Sequence, residues 1–190
     1  NEVSFIVEDD FDDLKITEIN YNPKGDELAE GNLYEFIEIK NTGNATLDLS
    51  GVQFVDGIEY VFPEGSMIGA YEIIVLVSDL DAFYSRYGFV PDGVYSGQLN
   101  NGGEWITVAT ANSDTIIHFE YDDGGNWPPY ADGLGYTLVP VDGNPDNDQN
   151  SDVYWKKSEN EGGSPGQNDD PTSIDEVSSL LSNDLIRINV

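Results

Sequence analysis

The sequence predicts an all-β sandwich or barrel with one short helix. Segments rich in β-branched and aromatic residues recur about every ten to fifteen residues, and clusters of Gly, Pro, Asn and Asp separate them. A chain of 190 residues suits one domain with extensions, or two small domains, and buries about 70% of its unfolded surface. The expected strands are 14–20, 34–41, 47–55, 58–62, 71–78, 103–110, 114–121 and 135–141.

Alternation within two of these strands indicates sheet surfaces that are half buried. In strand 34–41, Ile37 and Ile39 lie on one face, and Glu38 and Lys40 on the other. In strand 114–121, one face has Ile117, Phe119 and Tyr121, and the other has Ile116, His118 and Glu120. The uninterrupted apolar run 73–77 instead predicts a central strand that is covered on both sides.

The one expected helix follows that run and crosses over to the next strand. Ser78 followed three residues later by Asp81 is a capping signal, and Asp79 suits the positive end of a helix. Gly88, after Arg86, is the residue type that ends helices. We therefore expect a helix of about ten residues, a usual length in globular proteins, that decorates the sandwich.

The charge balance excludes several classes of partner. The chain has 37 Asp and Glu against seven Lys and Arg, a formal net charge of −30. The negative electrostatic field of such a chain repels phosphate groups. We therefore expect no nucleic acid partner and no binding to an anionic membrane surface. No apolar run is long enough for a membrane span, so no membrane insertion is expected. The absence of Cys excludes disulfides and thiolate zinc sites.

Composition divides the chain into three parts. Residues 1–13 form an acidic arm, residues 14–168 form the sandwich domain, and residues 169–190 form a linker and a truncated tail. The chain begins with Asn, and its only Met is Met67, which indicates a processed form or an excised fragment.

Three separated stretches identify a family. They are "ITEINYNPKGDE" at 16–27, "YEFIEIKNTGNATLDLSGVQF" at 34–54, and "WPPYADGLGYTLV" at 127–139, which runs on to "YWKKSENEGGSPGQN" at 154–168. In this order they resemble the lamin tail domain, found in nuclear lamins and in many bacterial extracellular proteins. The resemblance implies an immunoglobulin-like β-sandwich over about residues 14–168, and an extracellular or cell-surface location in a bacterium.

The motifs themselves favour structural roles. Trp127 with its two following prolines resembles the family's Trp-Pro corner, where Pro and Gly set the backbone geometry. We expect Trp127 and Trp155 to pack in the scaffold, although an exposed Trp127 would also suit stacking on a sugar. Trp105, after a Gly-rich turn, is expected to close one end of the core.

The residues after 168 resemble the beginning of a sorting domain of type IX secretion. Ile186, Ile188 and Val190 alternate with polar residues as in a short strand. The proline-containing motif that should follow that strand is absent from this sequence.

The best candidate for a ligand site is the loop 142–152. Asp142, Asn144, Asp146 and Asp148 are oxygen ligands at every second position, a pattern that suits Ca²⁺. The loop lacks the Gly and Glu that an EF-hand has at its sixth and twelfth positions. A solvated loop rich in Asx turns is the alternative. A second acidic cluster comprises Asp122, Asp123 and Asp132.

Catalysis finds little support. His118 is the only His, lies in the middle of a strand, and is expected to be structural. No nucleophile-elbow motif is present. A close group of carboxylate, hydroxyl and His118 in one cleft would favour an enzyme.

The sequence therefore predicts a non-catalytic interaction or scaffold module of a secreted or cell-surface bacterial protein that docks a protein or cell-envelope partner. The alternative is a calcium-dependent module that binds glycan or the cell envelope. A filament role like that of the lamins is disfavoured because the sequence has no heptad rod.

Overall fold

The computed structural model describes residues 10–142 and 148–169, and all structural statements below concern these residues. Their one α-helix is α1 (Leu80–Tyr87), and short 3₁₀ turns occur at Gly31–Tyr34, Pro129–Ala131 and Asp152–Tyr154. The strands are β1 (Leu14–Asn20), β2 (Phe36–Asn41), β3 (Leu47–Asp48), β4 (Gln53–Asp56), β5 (Tyr60–Val61), β6 (Met67–Ile68), β7 (Ile73–Val77), β8 (Gly93–Val94), β9 (Glu104–Ala109), β10 (Thr115–Tyr121), β11 (Leu138–Pro140) and β12 (Trp155–Lys157).

Two larger sheets pack face to face and enclose one core. The first sheet has six strands in the order β12-β11-β1-β2-β7-β8, and the second has four in the order β10-β9-β4-β5. A small third sheet pairs β3 with β6. Inward residues of both larger sheets form the core, for example Ile16, Ile39, Phe54, Val108 and Phe119. The fold is an all-β, immunoglobulin-like sandwich, as the sequence predicts.

The alternation predicted for β10 is confirmed. Its residues Ile117, Phe119 and Tyr121 are buried, whereas His118 and Glu120 are exposed. The same prediction is wrong for β2, where all six residues are buried. Because β2 lies between β1 and β7 and its outer side is covered by a distant segment of the chain, its polar residues are shielded as well.

The segment predicted as one strand at 47–55 is two strands in different sheets. Asp48 accepts a hydrogen bond from the amide of Ser50 at 2.8 Å, and Gly51 has a φ of 74°. Because of this turn, β3 pairs with β6 and β4 pairs with β9. The short strands β6, β8 and β12 were not predicted, because two or three residues are too few to show a period.

The predicted crossover helix is confirmed, although its cap is not the expected residue. The side chain of Asp79 accepts a hydrogen bond from the amide of Ala82 at 2.8 Å, whereas the hydroxyl of Ser78 donates to the carbonyl of Asn32. Gly88 ends the helix with a φ of 77°. α1 connects β7 to its parallel neighbour β8. In the described ranges no helix is long and apolar enough to cross a membrane.

Candidate interaction surface

The outer side of the six-stranded sheet is covered in part by α1. Phe83 of the helix is fully buried and packs edge to face on Phe36, with 6.1 Å between the ring centroids. Val75 and Val77 of β7 complete this second apolar cluster. This part of the sheet is therefore satisfied within the chain.

The rest of that outer side is covered by residues 158–169, which we call the C-terminal strap. Two buried carboxylates of neighbouring strands hold it. Glu18 of β1 accepts a hydrogen bond from the amide of Ser164 at 3.1 Å, and Glu38 of β2 accepts one from the amide of Gly166 at 3.0 Å. The ammonium group of Lys40 donates to the side chain of Asn168 at 2.7 Å. The strap thus belongs to the folded sandwich.

The two carboxylates face each other across β1 and β2 at 1% and 2% exposure. Burial raises the pKa of both groups, and the charge of Glu38 raises that of Glu18 further. Hydroxyl groups lower both values in part, since Thr137 donates to Glu18 at 2.6 Å and Thr17 donates to Glu38 at 2.7 Å. The cluster is a structural clasp whose carboxylates are costly to ionise.

The outer side of the four-stranded sheet differs, and we call it the uncovered face. Trp105 of β9, Val55 of β4 and Val61 of β5 lie on it at 44%, 49% and 58% exposure. They lie on three neighbouring strands, but at different levels of the sheet: Val61 pairs with Gln53, which pairs with Ala109, four residues after Trp105. Exposed apolar side chains on one sheet surface make it the candidate interaction surface.

Trp105 corrects a prediction, because it does not close the core. Ile106 and Val108 point into the core, so the alternation of β9 turns Trp105 outward. Its ring stacks on His118 of β10, with 4.5 Å between centroids and 10° between the ring planes. The Nδ1 of His118 lies 2.8 Å from the hydroxyl of Thr107. A rigid aromatic pair therefore stands on the surface of the sheet.

The surroundings of His118 bear on the question of catalysis. Its ring hydrogen-bonds to the hydroxyl of Thr107. A cavity of about 230 Å³ is lined by His118 together with Asp12 and Asp148. Carboxylates and a hydroxyl thus lie near His118, but within the described residues no hydrogen bond joins either carboxylate to the ring.

The acidic groups with the strongest burial have protein partners. Burial raises the pKa of the Glu35 carboxyl to about 7, while the amide of Leu99 at 2.9 Å and the hydroxyl of Tyr95 at 3.3 Å oppose the shift. A cavity of about 450 Å³ near Asp12 and Asp114 is lined by carboxylates, hydroxyl groups, an amide and apolar groups, without any His, Lys or Arg. Neither place offers a paired acid and base.

The predicted calcium loop lies largely outside the described residues. Asn144 and Asp146 belong to the undescribed segment 143–147, so only the ends of the loop are placed. Asp142 borders a small cavity beside Glu18, and Asp148 accepts hydrogen bonds from the amide and side chain of Asn150. The calcium site therefore stays a prediction.

The second acidic cluster is not a metal site. Asp132 accepts a hydrogen bond from the side chain of Asn22 at 2.6 Å, and Asp122 accepts one from the amide of Gly124 at 2.8 Å. Within the described part of the chain, no three acidic or His side chains are arranged to hold a metal ion. Asp122 thus fixes a turn, and Asp132 ties its loop to the loop after β1.

The scaffold roles predicted for two tryptophans are confirmed. Trp155 is buried at 4% exposure, and its indole nitrogen donates to the carbonyl of Gln149 at 2.9 Å. Trp127 is partly buried against the core and stacks on Trp155 with 6.4 Å between centroids. The sequence assigned the packing roles correctly but missed the exposed Trp105, which the alternation of β9 places outward.

The sandwich, its covered sheet and its uncovered face define the class of immunoglobulin-like interaction modules. The family model described as Lamin Tail Domain matches residues 9–124, more than half of the chain. The chain therefore belongs to the lamin tail domain family, whose immunoglobulin-like domains are non-enzymatic modules. β11, β12 and the strap lie beyond the matched residues but belong to the same sandwich. A search of curated proteins found no match.

Proposed function

We propose that this chain is a non-catalytic interaction module of a secreted or cell-surface bacterial protein, and that it docks a protein or cell-envelope partner. The single observation that carries the proposal is the uncovered face. Its three exposed apolar side chains lie on adjacent strands, whereas the opposite sheet is covered by α1 and the strap. A module that docks through this face explains why only one sheet is shielded.

Trp105 is able to contribute a substantial part of the binding free energy at the face. Trp105 keeps roughly 100 Å² of accessible surface, and burying this area contributes about 2.5 kcal/mol at 25 cal/mol per Å². Its stacking on His118 holds the ring in one orientation, so little conformational entropy is lost when a partner binds. Large aromatic residues of this kind are typical centres of interfaces.

The proposal is tested by site-specific photo-crosslinking in intact native cells. A benzophenone amino acid is introduced at Val61 on the uncovered face or at Val90, which is 70% exposed and follows α1. We expect a discrete adduct from position 61, formed with material outside the cytoplasmic membrane, and none from position 90. Equal labelling from both positions, or no adduct from position 61, contradicts the proposal.

A second candidate is the calcium-dependent module that binds glycan or the cell envelope. The exposed stack of Trp105 on His118 favours it, because an aromatic ring beside polar groups suits stacking on a sugar. This alternative requires that binding of oligosaccharides is abolished by EDTA and by Trp105→Ser. Binding that persists in EDTA contradicts this alternative and favours the metal-independent docking module.

A further inference from the structure

The uncovered face has a charge pattern that restricts its partner. Its strands β4, β5, β9 and β10 contain no Lys or Arg. Asp56 and Glu120 are exposed on it, and Glu59 is exposed next to β5. Asp56 lies opposite Thr107 in the middle of β9, and Glu120 lies opposite Trp105, so carboxylates stand among the apolar side chains of the face.

All basic residues of the described chain belong to other elements. Lys15 and Lys40 lie on β1 and β2, and Lys24 lies in the loop after β1. Arg86 lies on α1, and the remaining pair, Lys156 and Lys157, lies on β12. Every one of these elements is part of the six-stranded sheet or follows one of its strands, so within the described residues the four-stranded sheet is the larger sheet without a basic side chain.

We propose that the uncovered face docks a basic protein segment, which presents separate aromatic or aliphatic side chains to Trp105 and to Val55 and Val61. This inference rests on the proposed function and adds the chemistry of the partner. Lys or Arg of the segment meets Asp56, Glu59 and Glu120, and such complementarity increases the association rate and selects against acidic partners.

The same pattern argues against a second copy as the occupant. Two uncovered faces brought together place the carboxylates of one copy against those of the other, and the net charge of −30 adds long-range repulsion. Lys15 lines the cavity next to His118 of β10, but Asp12 and Asp148 line the same cavity, so this side of the face is acidic as well.

The test uses a phage library of short random peptides selected on the purified chain. Peptides are counter-selected on the Trp105→Ser/Val61→Thr variant, which has the same net charge, so peptides held only by the overall field are removed. Circular dichroism and the thermal midpoint show that the variant is folded. Peptides specific for the wild type are synthesised and their Kd values are measured at low and high salt.

We expect peptides with an excess of Lys and Arg around an aromatic or aliphatic residue. Trp105→Ser weakens their binding at least ten-fold, and Asp56→Asn with Glu120→Gln weakens it several-fold at low salt but not at high salt. The control Tyr130→Ser, at an exposed aromatic outside the face, leaves the Kd unchanged.

The contrary outcomes separate the two proposals. Selected peptides that are neutral or acidic, yet depend on Trp105, keep the docking face and overturn the basic partner. A lack of any peptide that distinguishes the wild type from the variant overturns both. A dimer in sedimentation equilibrium that Trp105→Ser abolishes overturns the basic partner in favour of a second copy.

Discussion

Replacing Glu35 by Gln is expected to stabilise the protein, and more at alkaline than at acidic pH. Glu35 is 1% exposed, and one of its oxygens accepts both hydrogen bonds, from the Leu99 amide and the Tyr95 hydroxyl. The single oxygen of a Gln amide is able to accept both. The substitution therefore removes a buried charge and keeps the contacts.

The magnitude follows from the pKa of the Glu35 carboxyl, which burial raises from 4.5 to about 7. At about 1.4 kcal/mol per pKa unit, ionisation of this group in the fold costs about 3 kcal/mol. The folded state binds the proton more tightly than the unfolded chain. Its contribution to stability is therefore complete below about pH 4.5 and is lost as the pH rises through about 7.

Urea unfolding followed by tryptophan fluorescence measures this effect at about pH 5 and about pH 8. We expect Glu35→Gln to raise the free energy of unfolding by about 2–3 kcal/mol at the higher pH and by about 1 kcal/mol or less at the lower. The matched control is Glu64→Gln, at an exposed position, with a change within about 0.5 kcal/mol. A gain that is equal at both pH values, or a loss at the higher pH, refutes the reasoning.

Three other predictions use the same unfolding and thermal assays. Gly163→Ala lowers stability by about 2 kcal/mol or more, because the new Cβ meets the Glu18 carboxylate of the clasp at a φ of 77°; an unchanged urea midpoint contradicts this packing. Asp79→Ala lowers stability by about 1 kcal/mol through loss of the helix cap, and a neutral result contradicts the cap. Millimolar Ca²⁺ shifts the thermal midpoint no more than Mg²⁺ does; a Ca²⁺-specific rise abolished by Asp146→Ala favours the calcium alternative.

The local pattern of apolar and polar residues predicted much of the fold. The alternation of β10, the apolar run of β7 and the turn residues between strands were sufficient for the all-β class and for the longer strands, but not for β6, β8 and β12 or for the division between β3 and β4. Burial of Glu38 and Lys40 was not predictable from β2 alone. Their cover is the strap, 128 residues away in the sequence, so the contact exists only after folding.

For the candidate surface, the position of a residue in its strand was a better guide than its residue type. A Trp at the head of an apolar strand suggested a core role, since large aromatics are usually buried. The register of β9 decides otherwise: Ile106 and Val108 occupy the inward positions, and Trp105 faces outward with Thr107. The two-residue period of the strand, counted back from Val108, identifies Trp105 as an exposed position from the sequence.

The most direct measurement of the docking face is the binding of the purified chain to the cells and secreted material of its native organism. Wild type is compared with Val61→Thr/Trp105→Ser and with a control, Val90→Thr/Tyr130→Ser, which alters more exposed residues outside the face. The predicted result is at least a ten-fold loss of binding for the face variant alone, at an unchanged thermal midpoint. Equal binding by the face variant and the wild type, or an equal loss in the control, contradicts the assignment of the face.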